Sequence, residues 1–325
     1  MGTPSDPWRS VADALLGPAE LTPPEVAQES GMDPDDARRL WQALGFPPVS
    51  DDDRHFTRSD VAILREVRAL LEVDVANRDD VVQLTRVVGQ ALARVADAQV
   101  TASATRLEQA VRERGGEALD ANAIAERVVQ LAPRLEQFLA YVWRRHLLAS
   151  LRSRSLQPSE GDRTLTVGFA DLVGFTSLSQ ALEPHELAVA VDRFEAIAYE
   201  HVPEHGGRVV KTIGDEVMFA SEDAVAAAEI ALSLADAYQR EKDLPGVRVG
   251  LACGPVLSWE GDLYGSTVNL ASRLVNLAHA HSVLVSDELG TALQDAPGFA
   301  LRHLRPVHLQ GIGRVRSWVL RRASG

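Results

Sequence analysis

Three short stretches hold residue types suited to a charged substrate. The first is Phe169-Ala170-Asp171-Leu172-Val173-Gly174-Phe175-Thr176, an apolar run that ends in a carboxylate and passes into a glycine turn. A strand that delivers Asp171 and then turns towards a helix leaves a carboxylate and several free backbone N–H groups facing one place. That arrangement suits a divalent cation on Asp171 and phosphate oxygens on the N–H groups, although a strand–Asp–Gly turn also serves as a plain turn. The second stretch is Lys211-Thr212-Ile213-Gly214-Asp215-Glu216, between two strand-like runs. Gly214-Asp215 fits a type I′ hairpin turn, while Asp215 would also add a second carboxylate to a site begun by Asp171. The third is Asp262-Leu263-Tyr264-Gly265-Ser266-Thr267-Val268-Asn269-Leu270-Ala271-Ser272-Arg273. It reads as a helix from Ser266, with Ser266 as N-cap and with Asn269 and Arg273 on one face at i and i+4. An Asn and an Arg so placed can hold a sugar oxygen and a transferring phosphate. A solvated polar face would look the same.

The elements that must position these residues follow from patterning. From 164 the chain alternates short strands with helices: LTVGFA, a helix over 184–204, GGRVVKTI and EVMFAS as a hairpin, a helix over 223–242, VRVGLACGPVLSW, a helix over about 266–280, SVLVS, and strand-like runs near 299–309 and 315–321. Such alternation implies an α/β or α+β sheet packed with helices. Residues 8–156 instead carry apolar side chains at helical spacing, with one stretch running from 60 to Gly115-Gly116 and another over 121–151 in which Pro133 predicts a kink or break. The boundary falls in the polar segment 152–163, between an all-α half (1–151) and a second domain (164–322).

Of 33 basic residues only Lys211 and Lys242 are lysines, so a lysine inside a motif stands out. The net charge of −13 argues against a general nucleic-acid coat. It resolves into −9 over 1–80, +3 over 81–160 and −7 over 161–325. The single cysteine, Cys253, rules out an internal disulfide and fits a reducing cytoplasm. No run approaches the roughly 18 apolar residues of a membrane span, so the expectation is a cytoplasmic protein without membrane partners.

In this order and spacing the three stretches resemble the catalytic domain of class III nucleotide cyclases over residues 163–322, with six polar positions matching. The resemblance implies an α+β fold with a ferredoxin-like βαββαβ core. It implies that Asp171 and Asp215, helped by the Leu172 carbonyl, hold two divalent cations per site (Mg²⁺ or Mn²⁺), and that Gly174, Phe175 and Thr176 form the turn whose N–H groups bind the triphosphate. Lys211 and Asp262 match the pair that reads the base: Lys donates to adenine N1 and Asp accepts from the 6-amino group, a pattern that selects ATP over GTP. Asn269 and Arg273 match the residues that orient the ribose and stabilise the transition state. In the two-metal logic of the family one ion activates the ribose 3′-hydroxyl for attack on the α-phosphorus and the other steadies the leaving pyrophosphate. Because the family joins metal residues of one domain to base-reading residues of another, a chain with all six implies a homodimer with composite sites. One position departs: where the family carries Lys-Gly to grip the terminal phosphates, this chain has Gln310-Gly311, so the triphosphate is left to Gln310 or to Arg314.

The N-terminal half resembles, more loosely, the regulatory domain of some actinobacterial cyclases. Within it residues 21–71 have the outline of a MerR-type winged helix, yet 20–60 hold 10 acidic and 4 basic residues, which would repel DNA phosphates. His146, beside Arg144 and Arg145, is a candidate for pH control of packing. Two other functions fit parts of the pattern: a cyclase-like module that senses ATP without turnover, and a DNA-binding regulator with a nucleotide-sensing domain.

Overall fold

The computed structural model describes residues 7–73, 77–113, 121–155, 163–241 and 244–323. The chain divides into two compact units, Met1–Pro158 and Ser159–Gly325. No helix of the described residues is long and apolar enough to cross a membrane.

The first unit is helical: α1 (Pro7–Leu16), α2 (Pro23–Ser30), α3 (Pro34–Ala43), α4 (Arg58–Glu72), α5 (Arg78–Glu113) and α6 (Ala121–Ser155). Local chemistry sets these boundaries. Thr22 and Thr57 each close a capping box, with Glu25 and Asp60, Asp33 caps α3, and Gly31 ends α2 at φ 68°. Leu21, Val26, Phe56 and Val61 form one small core, with Trp41 against it, and Met32, Leu40 and Val81 form another. Over 21–71 the chain forms α2, α3 and α4, with Leu21 and Phe56 joined by an isolated antiparallel bridge.

One expectation fails here and another is narrowed. The helical stretch from 60 is not one helix but two, because Asn77 and Asp80 exchange side-chain to backbone hydrogen bonds (2.9 and 3.1 Å) and start α5 afresh. Pro133 lies inside α6 without breaking it. Proline removes one i→i−4 bond, and a helix of 35 residues retains the bonds on either side. α6 also continues to Ser155, into the stretch read as linker, while 156–162 lie outside the described residues.

The second unit is built on β1 (Arg163–Leu172), α7 (Phe175–Ala181), α8 (Pro184–Glu204), β2 (Arg208–Ile213), β3 (Glu216–Ser221), α9 (Ala224–Arg240), β4 (Val247–Trp259), β5 (Asp262–Tyr264), α10 (Ser266–Leu277), β6 (Val283–Ser286), α11 (Asp287–Leu293), β7 (Phe299–His303), β8 (Val307–Leu309), β9 (Gly313–Val315) and β10 (Ser317–Arg322). The main sheet runs β2-β3-β1-β4-β6-β10-β7, with β5 on β4 and β8-β9 as a separate hairpin. The first four strands pair antiparallel in the order β2-β3-β1-β4, which is the βαββαβ arrangement. The run read over 299–309 divides into β7 and β8 around Pro306, whose nitrogen cannot donate to a ladder.

Each face of the sheet has its own core. On one side Phe194, Ile197, Ile230, Leu234 and Tyr238 of α8 and α9 pack on Ala170, Leu172, Val217, Phe219, Val249 and Leu251. On the other, Ala271 and Val275 of α10 pack on Leu165, Val167, Phe169, Met218, Ala220 and Ala252. α10 lies against β4 and β1 closely enough that a Cβ on Gly250 would stand 2.2 Å from the Val275 nitrogen.

Candidate active site

Register places the first two motifs on the α10 side of the sheet. Asp171 pairs with Glu216 on β3 and with Arg248 on β4, and directly opposed residues of an antiparallel pair point to the same face. Phe169 and Met218, in phase with them, belong to the α10-side core. Asp171 is buried at 9% exposure, and its Oδ2 accepts a 2.5 Å hydrogen bond from Arg248 Nε. The same guanidinium donates to the carbonyl and side-chain oxygens of Asn276, at 3.4 and 3.3 Å. Asp215 sits in the β2–β3 turn, where its carbonyl accepts from the Leu172 nitrogen (3.1 Å) and its carboxyl neighbours that of Asp171. Only Gly214 of the turn pair has a positive φ, 62°, so the turn is not the type I′ form suggested by the dipeptide, which needs both residues there.

Three crowded acids mark this end of the sheet. Burial raises the Asp171 pKa, Arg248 opposes that by hydrogen bond and charge, and Asp215 raises it further. Glu216 is pushed up to about 7, first by burial and then by Asp171 and Asp215. A cation would relieve this repulsion. Among the described residues no group of three His, Cys, Asp or Glu side chains has a metal-holding geometry. Asp171 and Asp215 are hard oxygen donors of the kind a divalent cation such as Mg²⁺ takes. Beside them Gly174 (φ 80°) caps α7 with no side-chain bond, which leaves the first N–H groups of Phe175 and Thr176 without an intrahelical acceptor.

The base-reading candidates meet directly. Lys211 Nζ pairs with Asp262 Oδ2, joining β2 to β5, and Asp262 Oδ1 accepts from the Leu263 nitrogen at 2.8 Å. Asn269 and Arg273 lie exposed on α10. Its N-cap is Gly265 at φ 127° and not Ser266, which is the first helical residue. The backbone reversal here demands glycine, and Thr267 Oγ1, bonded to the Pro255 carbonyl at 2.8 Å, pins the helix start to β4. Asn269, Ser272 and Arg273 line a cleft with Gln310, Gly311 and Ile312 from the β8–β9 turn. Gln310 thus shares a cleft with the Asn–Arg pair. Arg314 lies on β9 opposite His308 and does not line that cleft. Among the described residues no hydrogen bond or ion pair links the Asp171–Asp215 pair to Lys211, Asp262, Asn269 or Arg273. His146 is exposed on α6 in the other unit.

Sequence reasoning missed Arg248 and Glu216. Arg248 had a signal, being the one charge in the thirteen-residue apolar strand β4.

The family described as "Adenylate and Guanylate cyclase catalytic domain" matches residues 158–322, and the one described as "Adenylate cyclase regulatory domain" matches 9–151. An adenylate cyclase of Streptomyces coelicolor is 35% identical over 98% of this chain and 91% of that protein. One of Streptomyces griseus is 38% identical, covering 86% of this chain and 70% of the relative. A Mycobacterium tuberculosis protein named a pH-sensitive adenylate cyclase is 32% identical, covering 92% and 78%.

Proposed function

The chain belongs to the adenylate and guanylate cyclase family and is an adenylate cyclase by that descent, and we propose that it converts ATP to 3′,5′-cyclic AMP and pyrophosphate as a homodimer with composite sites. The observation that carries this reading is the gathering of Asp171, Lys211 and Arg248 on the one sheet face that α10 also covers, with Asn269 and Arg273 on that helix.

In this reading Asp171 and Asp215 hold divalent cations, which when bound supply Lewis-acid activation of the 3′-hydroxyl and neutralise the triphosphate. The chain's own groups do the rest. N–H groups of the Gly174–Thr176 turn take phosphate oxygens. Lys211 offers a donor and Asp262 an acceptor, which matches N1 and the 6-amino group of adenine. Guanine presents the reverse, a donor at N1 and an oxygen at position 6, and would set like against like. Asn269 orients the ribose, and the Arg273 guanidinium meets the charge that grows on the α-phosphate. Gln310 supplies an uncharged hydrogen bond to the triphosphate. The Asn269–Arg273 cleft is built from α10 and the β8–β9 turn, whereas Asp171 and Asp215 sit at the end of β1 and in the β2–β3 turn, which supports a site completed by a second copy.

Incubation of the full chain with ATP or GTP and Mg²⁺ or Mn²⁺ tests this, with cyclic AMP as the expected product. Cyclic GMP in excess would overturn the base assignment, and absence of both would overturn the catalytic one.

The helical N-terminal unit is read as regulatory, from its family match. A relative named a pH-sensitive adenylate cyclase supports control of activity by pH, and His146 is the residue we assign to it. Activity of His146→Ala across the histidine range should lose its pH dependence; an unchanged profile removes His146 from that role.

A further inference from the structure

We propose that Arg208 is a positioning residue for base recognition, holding the Asp262 carboxylate when the Lys211 ammonium turns from it to the base. The inference rests on the reading above, that Lys211 and Asp262 recognise adenine.

β2 is an edge strand with an irregularity between Val209 and Lys211. Arg208 and Lys211 are three residues apart, so in a regular strand they would point to opposite faces. The extra residue, Val210, changes that. Arg208 stands opposite Ala220 and Lys211 opposite Met218, and both partners belong to the α10-side core. The bulge therefore turns two cations to the face on which β5 packs against β2.

The two cations differ in what they do there. Lys211 is committed to Asp262 Oδ2, and an ammonium has to leave or share that bond to donate to a ring nitrogen. Asp262 would then stand as a part-buried carboxylate that keeps the Leu263 nitrogen and gains the neutral 6-amino group but has lost its cation. Arg208 enters no hydrogen bond or ion pair among the described residues, whereas the neighbouring Arg163 is paired with Glu222. Arg208 is exposed at the start of β2, on the face that also carries Lys211, and lies within electrostatic range of Asp262 and Glu222. A guanidinium stays charged at any working pH and offers several donors. It can share the carboxylate without competing for the ring nitrogen that Lys211 reads.

The test compares the full-length wild type with Arg208→Ala and Arg208→Lys, measuring kcat and KM for ATP and for GTP. The expected result for Arg208→Ala is a rise in KM for ATP of about tenfold, the worth of one charge-assisted hydrogen bond, with kcat within about twofold and a reduced preference for ATP over GTP. Arg208→Lys, which keeps the charge, should recover most of both. A merely structural arginine would not move base discrimination. Unchanged KM and preference in Arg208→Ala, or a loss that Arg208→Lys leaves unrepaired, overturns the proposal. If Arg208→Ala melts below assay temperature, Arg208→Gln, which keeps the stem, carries the same comparison. Asp262→Ala separates the two levels. Discrimination that survives Asp262→Ala sinks the base assignment itself, while discrimination lost in Asp262→Ala but intact in Arg208→Ala sinks only the role of Arg208.

Discussion

Among the described residues Arg248 is the one cation paired with Asp171 in the cluster of Asp171, Asp215 and Glu216. Asp171 is buried and crowded by Asp215, and the Arg248 guanidinium is the ion-pair partner at its carboxylate. Removing one member of a buried pair leaves the other uncompensated. Because Arg248 is itself partly exposed, Arg248→Gln should destabilise the cation-free protein by about 1–3 kcal/mol, less than for a fully buried pair. A divalent cation would supply the missing charge, so adding Mg²⁺ or Mn²⁺ should narrow the gap in melting temperature between variant and wild type. A gap that cations leave unchanged would argue against cation binding at Asp171. Glu216 gives this cluster a pH signature. Its pKa rises from 4.5 to about 7 on folding, so between those values the folded chain binds more protons than the unfolded one, and stability falls as pH rises through that window. Discounted for partial solvent access, the loss is about 1–2 kcal/mol. In chelator, thermal melts from about pH 5 to about pH 8 should slope downward for the wild type and be flatter for Glu216→Gln; parallel slopes would remove Glu216 as the cause.

Elements position these residues through close backbone contact. Gly250 lets β4 approach the α10 backbone, and an added Cβ would overlap the Val275 nitrogen and the Leu274 carbonyl carbon. Backbone cannot yield as a side chain can. Gly250→Ala should therefore push α10 off the sheet, with a loss of about 1–3 kcal/mol from overpacking and a fall in kcat of at least about tenfold as Asn269 and Arg273 shift. Retained kcat beside a lowered melting temperature would mean that helix placement does not set the catalytic geometry. This dependence also explains what could be read from the sequence. The strands and helices of the second unit were legible because their apolar period is regular, and 184–204 matches α8. Asn77 restarts a helix inside an unbroken apolar pattern, so periodicity alone hid the α4–α5 break. The α10 cap at Gly265 was hidden by a serine that satisfies the usual rule one residue later. Lys211 and Asp262 were legible only through the resemblance, since they lie 51 residues apart and nothing local predicts their contact. Arg208 was not legible at all, because the facing of its side chain depends on a bulge that exists only in the pairing of β2 with β3.

For the whole molecule the question is whether one chain can turn over ATP. Asp171 and Asp215 occupy the end of β1 and the β2–β3 turn, and the Asn269–Arg273–Gln310 cleft is built from α10 and the β8–β9 turn. A two-fold dimer is self-complementary, so each copy that lends its cleft to the partner's carboxylates receives the partner's cleft in return. Two inactive variants with lesions on opposite sides should then rescue each other. Asp171→Ala removes a carboxylate from one half-site and Arg273→Ala a guanidinium from the other. In a mixed dimer both lesions fall in the same composite site, leaving the second intact. Random pairing at equal amounts makes about half the dimers mixed, each with one working site of two, so co-refolded or co-expressed variants should show about a quarter of wild-type activity. Each variant alone should show almost none. Activity in proportion to mixed-dimer content, measured with differently tagged chains, would fix the site as shared, whereas no rescue from a purified mixed dimer would mean that each chain completes its own site.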